Sequence, residues 1–307
     1  MNSTVRLILT IGLSFVLLIS LLGLVFSQFL QATFFSLDFF ERSIVSSNYI
    51  NKVREAIDED FAGQAAYVGV PDEVLTAGLD DTRLYLLIVD HLENINEVLR
   101  LQSEYQPVIY PAEPFYTSLA VFINEYAAEN NITVSQEQLN QLQEVATDSA
   151  AIVARHINLF DLDLVAGTSL FARALGILNR MAGWGALSIV LILVSLGGLF
   201  AINGRQWRRS LLSITVTFWL TGSLMLVPSL VLHWFGLPRR LSLGTGYLKL
   251  AADNWLSNAN NYVLTVGSVI LLISTAYLLV HFFLAEKRRH RTHKRTVMSQ
   301  NDMISLN

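Results

Sequence analysis

The sequence predicts an all-α membrane protein: a four-helix transmembrane bundle with a large extracytoplasmic helical-bundle domain inserted between transmembrane helices 1 and 2. The 307 residues are 52% hydrophobic and only 15% charged, too apolar for two ordinary soluble domains. The apolar residues gather into charge-free runs, Leu7 to Leu37, Met181 to Gly204, Ser210 to Leu237 and Trp255 to Ala285. Each exceeds the roughly 20 residues that carry a helix across a hydrocarbon core. Between the first two runs, Asp38 to Arg180 holds 22 acidic and 8 basic residues, a local charge of −14 hidden within the overall −4.

Short basic clusters flank the other ends of the runs and mark the cytoplasmic side. Arg6 precedes span one, Arg205, Arg208 and Arg209 separate spans two and three, and Lys287, Arg288, Arg289, Arg291, Lys294 and Arg295 follow span four. These agree when both termini are cytoplasmic and the acidic segment is outside. Arg239 and Arg240 fall in the outer loop and are outnumbered by the ten inner basic residues. The expected division is a cytoplasmic N-terminus at 1–6, transmembrane helix 1 at 7–29 and the acidic extracytoplasmic domain at 30–181. Transmembrane helix 2 follows at 182–203, a cytoplasmic loop at 204–209 and transmembrane helix 3 at 210–232. An outer interfacial loop at 233–261, transmembrane helix 4 at 262–285 and a basic cytoplasmic tail at 286–307 complete the chain.

The first run offers Val25 and Ser27 as small residues before a signal-peptidase cut, but Phe29, Phe34 and Phe35 continue it past that point. It reads as an uncleaved anchor. Helical spacing of Ile50, Val53, Ile57 and Phe61 then predicts that the anchor extends outward as a stalk, stopped by Gly69 and Pro71. Pro71-Asp72-Glu73 reads as a helix first turn. Asp80-Asp81 open the next helix, whose apolar face is Leu84, Ile88, Leu92, Ile95 and Leu99. Tyr110-Pro111 and Glu113-Pro114 predict a loop from Gln106 to Pro114, because each proline disfavours helix in the residue before it. Leu119, Phe122, Ile123 and Tyr126 mark another helix. Ser135-Gln136-Glu137-Gln138 is a capping box for a helix burying Leu139, Leu142, Val145, Ile152 and Val153. Leu162, Val165, Leu170 and Leu178 lead on into span two. The domain is expected to hold about five or six helices, with no strand-like alternation.

In span three, Ser213, Thr217 and Thr221 repeat at fourfold spacing; with Ala182 and Ala186, and Gly23 and Ser27, they point to close packing of one bundle. Tyr247 to Trp255 is expected to lie along the outer membrane surface as a short interfacial helix, since Trp and Tyr favour headgroup level.

Chemistry-bearing residues are sparse. Asp90-His91-Leu92-Glu93 and His156 lack the spacing of a zinc site, and no metal or other cofactor is expected. His281 in span four stands close to Glu286 and Lys287, which places it near the inner headgroups. Spans two to four contain no internal Asp, Glu, Lys or Arg, which disfavours an ion-coupled transporter. No Walker loop, HExxH or GxSxG occurs. His233, Arg239 and Arg240 are candidates for a lipid or phosphate contact at the outer face. Arg205, Arg208, Arg209, Lys287, Arg288 and Arg289 are candidates for a cytoplasmic partner or anionic lipid, and nucleic acid is not expected. The chain has no cysteine, which leans towards a bacterium without a disulfide-forming periplasm. The Asn131-Ile132-Thr133 sequon reads as chance.

An anchor, outer helices broken at Tyr67-Val68-Gly69-Val70-Pro71, a Glu113-Pro114-Phe115 loop and three clustered spans resemble a diffuse group of uncharacterised four-span membrane proteins of Gram-positive bacteria. That resemblance implies a cell-membrane location and no known activity. The order of one span, an outer domain and three spans is also similar to the division protein FtsX and the MacB-type permeases, which work with a cytoplasmic ATPase. The function expected is a non-enzymatic envelope protein whose outer domain binds or senses a protein or cell-wall component. The alternatives are a subunit of a transport or mechanotransmission complex and a membrane enzyme acting on lipid-linked substrates. Expected partners are membrane lipids and other membrane or envelope proteins, with homo-oligomerisation open.

Overall fold

The computed structural model describes residues 3–45, 47–158, 162, 166–204, 206–236 and 246–304, the side chains of 47 and 284–304 excepted. It is 87% helix, with no strand among the described residues. Four helical segments are long and apolar enough to cross a membrane: Ser3–Phe34, Ser169–Asn203, Trp207–Phe235 and Gly246–Phe283. This is the architecture of a multi-pass membrane protein. The chain forms two compact units.

The span unit comprises Met1–Phe29, Ala182–Phe235 and Asn260–Asn307. Its helices are α1 (Ser3–Phe29), most of α8 (Ser169–Asn203), α9 (Trp207–Phe235) and the greater part of α10 (Gly246–Ile304). Small residues let these helices approach closely. Ser27 donates to the Ala182 carbonyl across α1 and α8 at 2.5 Å. A Cβ on Gly23 would stand 3.0 Å from Ser188 Oγ, and one on Gly185 2.9 Å from Ser27 Oγ. The contact stripe on α8 is therefore Ala182, Gly185 and Ser188, whereas Ala186, expected there from the sequence, is exposed. Rows three and four residues apart both run along one face of a helix, so spacing alone does not choose between them. Leu17, Leu21 and Leu199 form the apolar centre of this unit. Between α8 and α9, Gly204 takes a left-handed φ of +48°. Asn203 Nδ2 donates to Ser210 Oγ at 3.0 Å, and Ser210 in turn donates to the Leu199 carbonyl, so the turn satisfies its own buried polar groups. Thr217 and Thr221 are buried, yet each donates to the carbonyl four residues back. They serve packing and keep their hydrogen bonds inside α9.

The helical domain comprises Leu30–Met181 and Gly236–Ala259. After a π-helical turn at Leu30–Phe34 it runs through α2 (Leu37–Ile44), α3 (Ser47–Val68), α4 (Asp72–Thr76), α5 (Asp81–Leu99), α6 (Glu113–Asn130) and α7 (Gln136–Ile157). The helix starts follow local chemistry. Asp80 accepts from the Thr82 and Arg83 amides, and Ser135 with Gln138 forms a reciprocal capping box. Pro114 sits in the first turn of α6, where its missing N–H costs nothing, so the loop ends before Glu113 rather than at Pro114. Asn131 caps α6 in the left-handed region at φ 53°, which gives this residue of the sequon a structural reason.

The stalk and the interfacial helix expected from the sequence are both core elements of this domain. The expected stalk is a core helix: Val53, Ile57 and Phe61 on α3 are each 0% exposed within the apolar core of the domain, and the Phe61 ring meets Phe115 of α6 edge-on at 5.5 Å. Amphipathic periodicity reports a buried face without saying what buries it. Tyr247 to Trp255 is not a separate surface helix, because α10 begins at Gly246 and places Tyr247 and Ala251 in the core of the domain. Trp255 stacks on Phe40 and meets Phe34 and Phe39 edge-on. Aromatic composition is shared by interfacial belts and by cores, so it cannot distinguish them. Of the residues expected to lead into span two, Val165 lies outside the described residues and Leu170 is largely exposed, while Leu175 takes the buried position.

The C-terminal end of α5 holds two other segments. The Arg100 guanidinium donates to the Phe35 carbonyl through Nε at 3.0 Å, and Asn179 Nδ2 donates to the Leu99 carbonyl at 2.8 Å. Both Arg100 and Leu99 are thereby committed, one as donor and one as a capped helix-end acceptor.

Candidate functional site

Helices α3 and α7 run antiparallel, and polar pairs step along their contact. At one end Asp60 Oδ2 lies 2.9 Å from His156 Nε2 and 2.5 Å from Arg155 Nη2. His156 Nδ1 lies 3.0 Å from the Tyr247 hydroxyl. A carboxylate only accepts, so Nε2 carries the ring proton and, in the neutral ring, Nδ1 accepts from the tyrosine O–H. Burial alone would raise the Asp60 carboxyl. The hydrogen bonds from His156 and Arg155 outweigh it and hold the group below its ordinary value. Tyr49 packs edge-on against Tyr247 at 6.2 Å between ring centroids, fully buried. Burial first, and the neighbouring Tyr247 second, push its phenol far above the ordinary range.

One turn further along α3, Gln64 bridges to α7. Its Oε1 accepts from Ser149 at 2.9 Å, and its Nε2 donates to the Val145 carbonyl at 3.4 Å. Beyond that the helices part into a groove of about 620 Å³, bounded by α3, α6 and α7. It is apolar within: Leu119 and Leu142 form the floor, and Val68, Ile123 and Val145 the walls. Its rim carries Tyr67, Gln141, Glu144 and Asp148, all exposed, and among the described residues no Lys or Arg lines it. Gly69, at φ +74°, ends α3 and turns the chain so that Val70 joins the wall.

No protein-family model matches the chain, and no curated protein or solved structure matches it.

The residues singled out from the sequence are scattered. His233 is exposed in the last turn of α9, and Arg239 and Arg240, its expected companions, lie outside the described residues. Arg208 and Arg209 are exposed in the first turn of α9, with the Arg208 guanidinium 5.7 Å from the Trp207 ring centroid. Arg205 lies outside the described residues. Lys287, Arg288 and Arg289 belong to α10, their side chains outside the description. His281 is half-buried on α10. His91 is 1% exposed and meets the Tyr105 ring at 5.9 Å between centroids. Burial pushes its imidazole down to about 4, so it is a neutral core residue at physiological pH. Among the described residues, no group of three or more His, Cys, Asp or Glu side chains is placed to hold a metal ion.

The sequence points to His156 but not to its partners. Asp60 stands on the polar edge of α3 among Asp58 and Glu59, where nothing in the spacing separates it from solvated neighbours. Tyr247 lies 91 residues beyond His156.

Proposed function

We propose that this chain is a non-enzymatic bacterial cell-envelope protein whose helical domain, held outside the cytoplasm, binds a protein or cell-wall component. Both termini are then cytoplasmic, and the spans anchor the domain. The observation that carries this reading is the solvent-open groove of about 620 Å³ on the domain, with an apolar floor and an acidic rim, a shape suited to a ligand rather than to core packing. The charge pattern supports the orientation, since the −14 segment is flanked by basic clusters at the far ends of the spans. Helices α8 and α10 each contribute residues to both units, which supports a domain anchored through more than its first helix.

Affinity purification from cross-linked native membranes, with partners identified by mass spectrometry, tests the proposal. Wall-synthesis or division proteins are the expected companions. A recurrent cytoplasmic ATPase, lost when Arg208 and Arg209 are replaced by alanine, would overturn it in favour of a transport-complex subunit.

A further inference from the structure

The groove on the helical domain follows α7 from Gln138 to Asp148, about 15 Å at the rise of an α-helix. That length matches about three turns of a docked helix, which would lay one stripe of apolar residues at i, i+3 or i+4 and i+7 onto the floor. Leu119 and Leu142 are 0% and 8% exposed and close the bottom, while Val68, Ile123 and Val145 are half-buried and form the walls. The polar groups around this floor are unequal. Gln64 is spent on Ser149 and Val145, and Gln138 accepts from the Ser135 amide to complete the cap of α7. Two of the three amides that would recognise sugar hydroxyls are therefore committed inside the domain. What remains open to a ligand is dominated by two carboxylates, Glu144 and Asp148, and by the ring of Tyr67, which is 91% exposed. Carboxylates and an open aromatic face select cations.

We propose that this groove binds a cationic amphipathic helix of a partner protein. The apolar stripe of the partner seats between α3, α6 and α7, its Lys or Arg residues pair with Glu144 and Asp148, and one of them lies over the Tyr67 ring. The −14 charge of Asp38 to Arg180 draws such a segment in before contact. The inference rests on the reading of the domain as a binding module and names the partner chemistry of its groove.

The test uses the full chain in its native membranes, with the photoreactive residue p-benzoylphenylalanine placed singly at Gln141 in the groove or at Ile109, an exposed position in the loop before α6. The expected result is an adduct at Gln141 whose cross-linked peptide carries Lys or Arg flanking apolar residues at helical spacing. Glu144→Lys with Asp148→Lys should lower its yield roughly tenfold while leaving thermal unfolding unchanged, since both side chains are exposed. A glycan adduct, a peptide without basic residues, or a yield indifferent to the charge reversal would overturn the proposal. Adducts at Ile109 with none at Gln141 would sink the groove assignment and leave the binding-domain reading standing. Adducts at neither position would sink both.

Discussion

The imidazole of His156 is held between two residues distant in sequence: its Nε2 is 2.9 Å from Asp60 and its Nδ1 is 3.0 Å from the Tyr247 hydroxyl. It thereby joins α3 and α7 to the beginning of α10 within the helical domain. At 8% exposure the ring has little access to water, so each of its bonds matters more than the exposed Arg155–Asp60 pair beside it.

Tyr247→Phe removes one hydroxyl and leaves His156 Nδ1 without its donor, at an expected cost of about 1–3 kcal/mol. His156→Ala loses both bonds and the ring contact with Tyr247. The two changes together should cost less than their sum, with a coupling of about 1 kcal/mol. Unfolding of the purified protein in detergent, followed by tryptophan fluorescence, measures this. Strict additivity would show that the 3.0 Å contact contributes nothing.

His91 should govern mild-acid stability. Its folded value of about 4 lies below the ordinary 6.5, so below pH 6.5 the unfolded chain binds a proton that the folded chain refuses. Stability is full above that value, falls between about pH 6.5 and 4, and levels off below, a loss on the order of 3 kcal/mol. In His91→Gln the slope in this window should be shallower by this imidazole's share. Asp60 acts in a lower window: its depressed carboxyl contributes fully above its ordinary value and is lost only as pH falls through the folded one. Asp60→Asn should therefore change the slope below about pH 4.

Within the span unit, Gly222 of α9 faces α10 so closely that a Cβ would stand 2.9 Å from the Leu271 amide nitrogen and 3.1 Å from the Gly267 carbonyl. Both neighbours are backbone and cannot rotate away. Gly222→Ala should destabilise by about 1–3 kcal/mol. Gly197→Ala, with nothing within 4 Å, should stay within about 0.5 kcal/mol of the parent. Equal effects would mean that the helices do not meet at Gly222.

The proposed orientation is open to direct labelling because the native chain lacks cysteine. Of Ser135→Cys, Gln206→Cys and Ser299→Cys, only the first should react with an impermeant thiol reagent in intact cells. Labelling of either of the other two would reverse or break the topology.

Local chemistry was legible throughout. Four long apolar runs, the Ser135–Gln138 cap, the Asp80 cap and the buried stripe Leu84, Ile88, Leu92 and Ile95 on α5 all follow from spacing and residue type. Each depends on residues within a turn or two of one another, or on the length of a run, and the sequence states such relationships outright. The destination of each buried face was not legible. Val53, Ile57 and Phe61 have the same periodicity whether α3 is a stalk or a core helix, and Tyr247 and Trp255 have the same composition whether they meet lipid or protein. Partners for Asp60, for His156 and for the floor of the groove come from helices many residues apart, brought together only by packing. Helix periodicity by itself determined most of the inward faces of the helical domain, such as Leu84, Ile88, Leu92 and Ile95; the tertiary structure decided what those faces meet, and left Leu170 and Ala186 exposed, because contacts between helices depend on how whole faces fit and carry no fixed spacing along the chain.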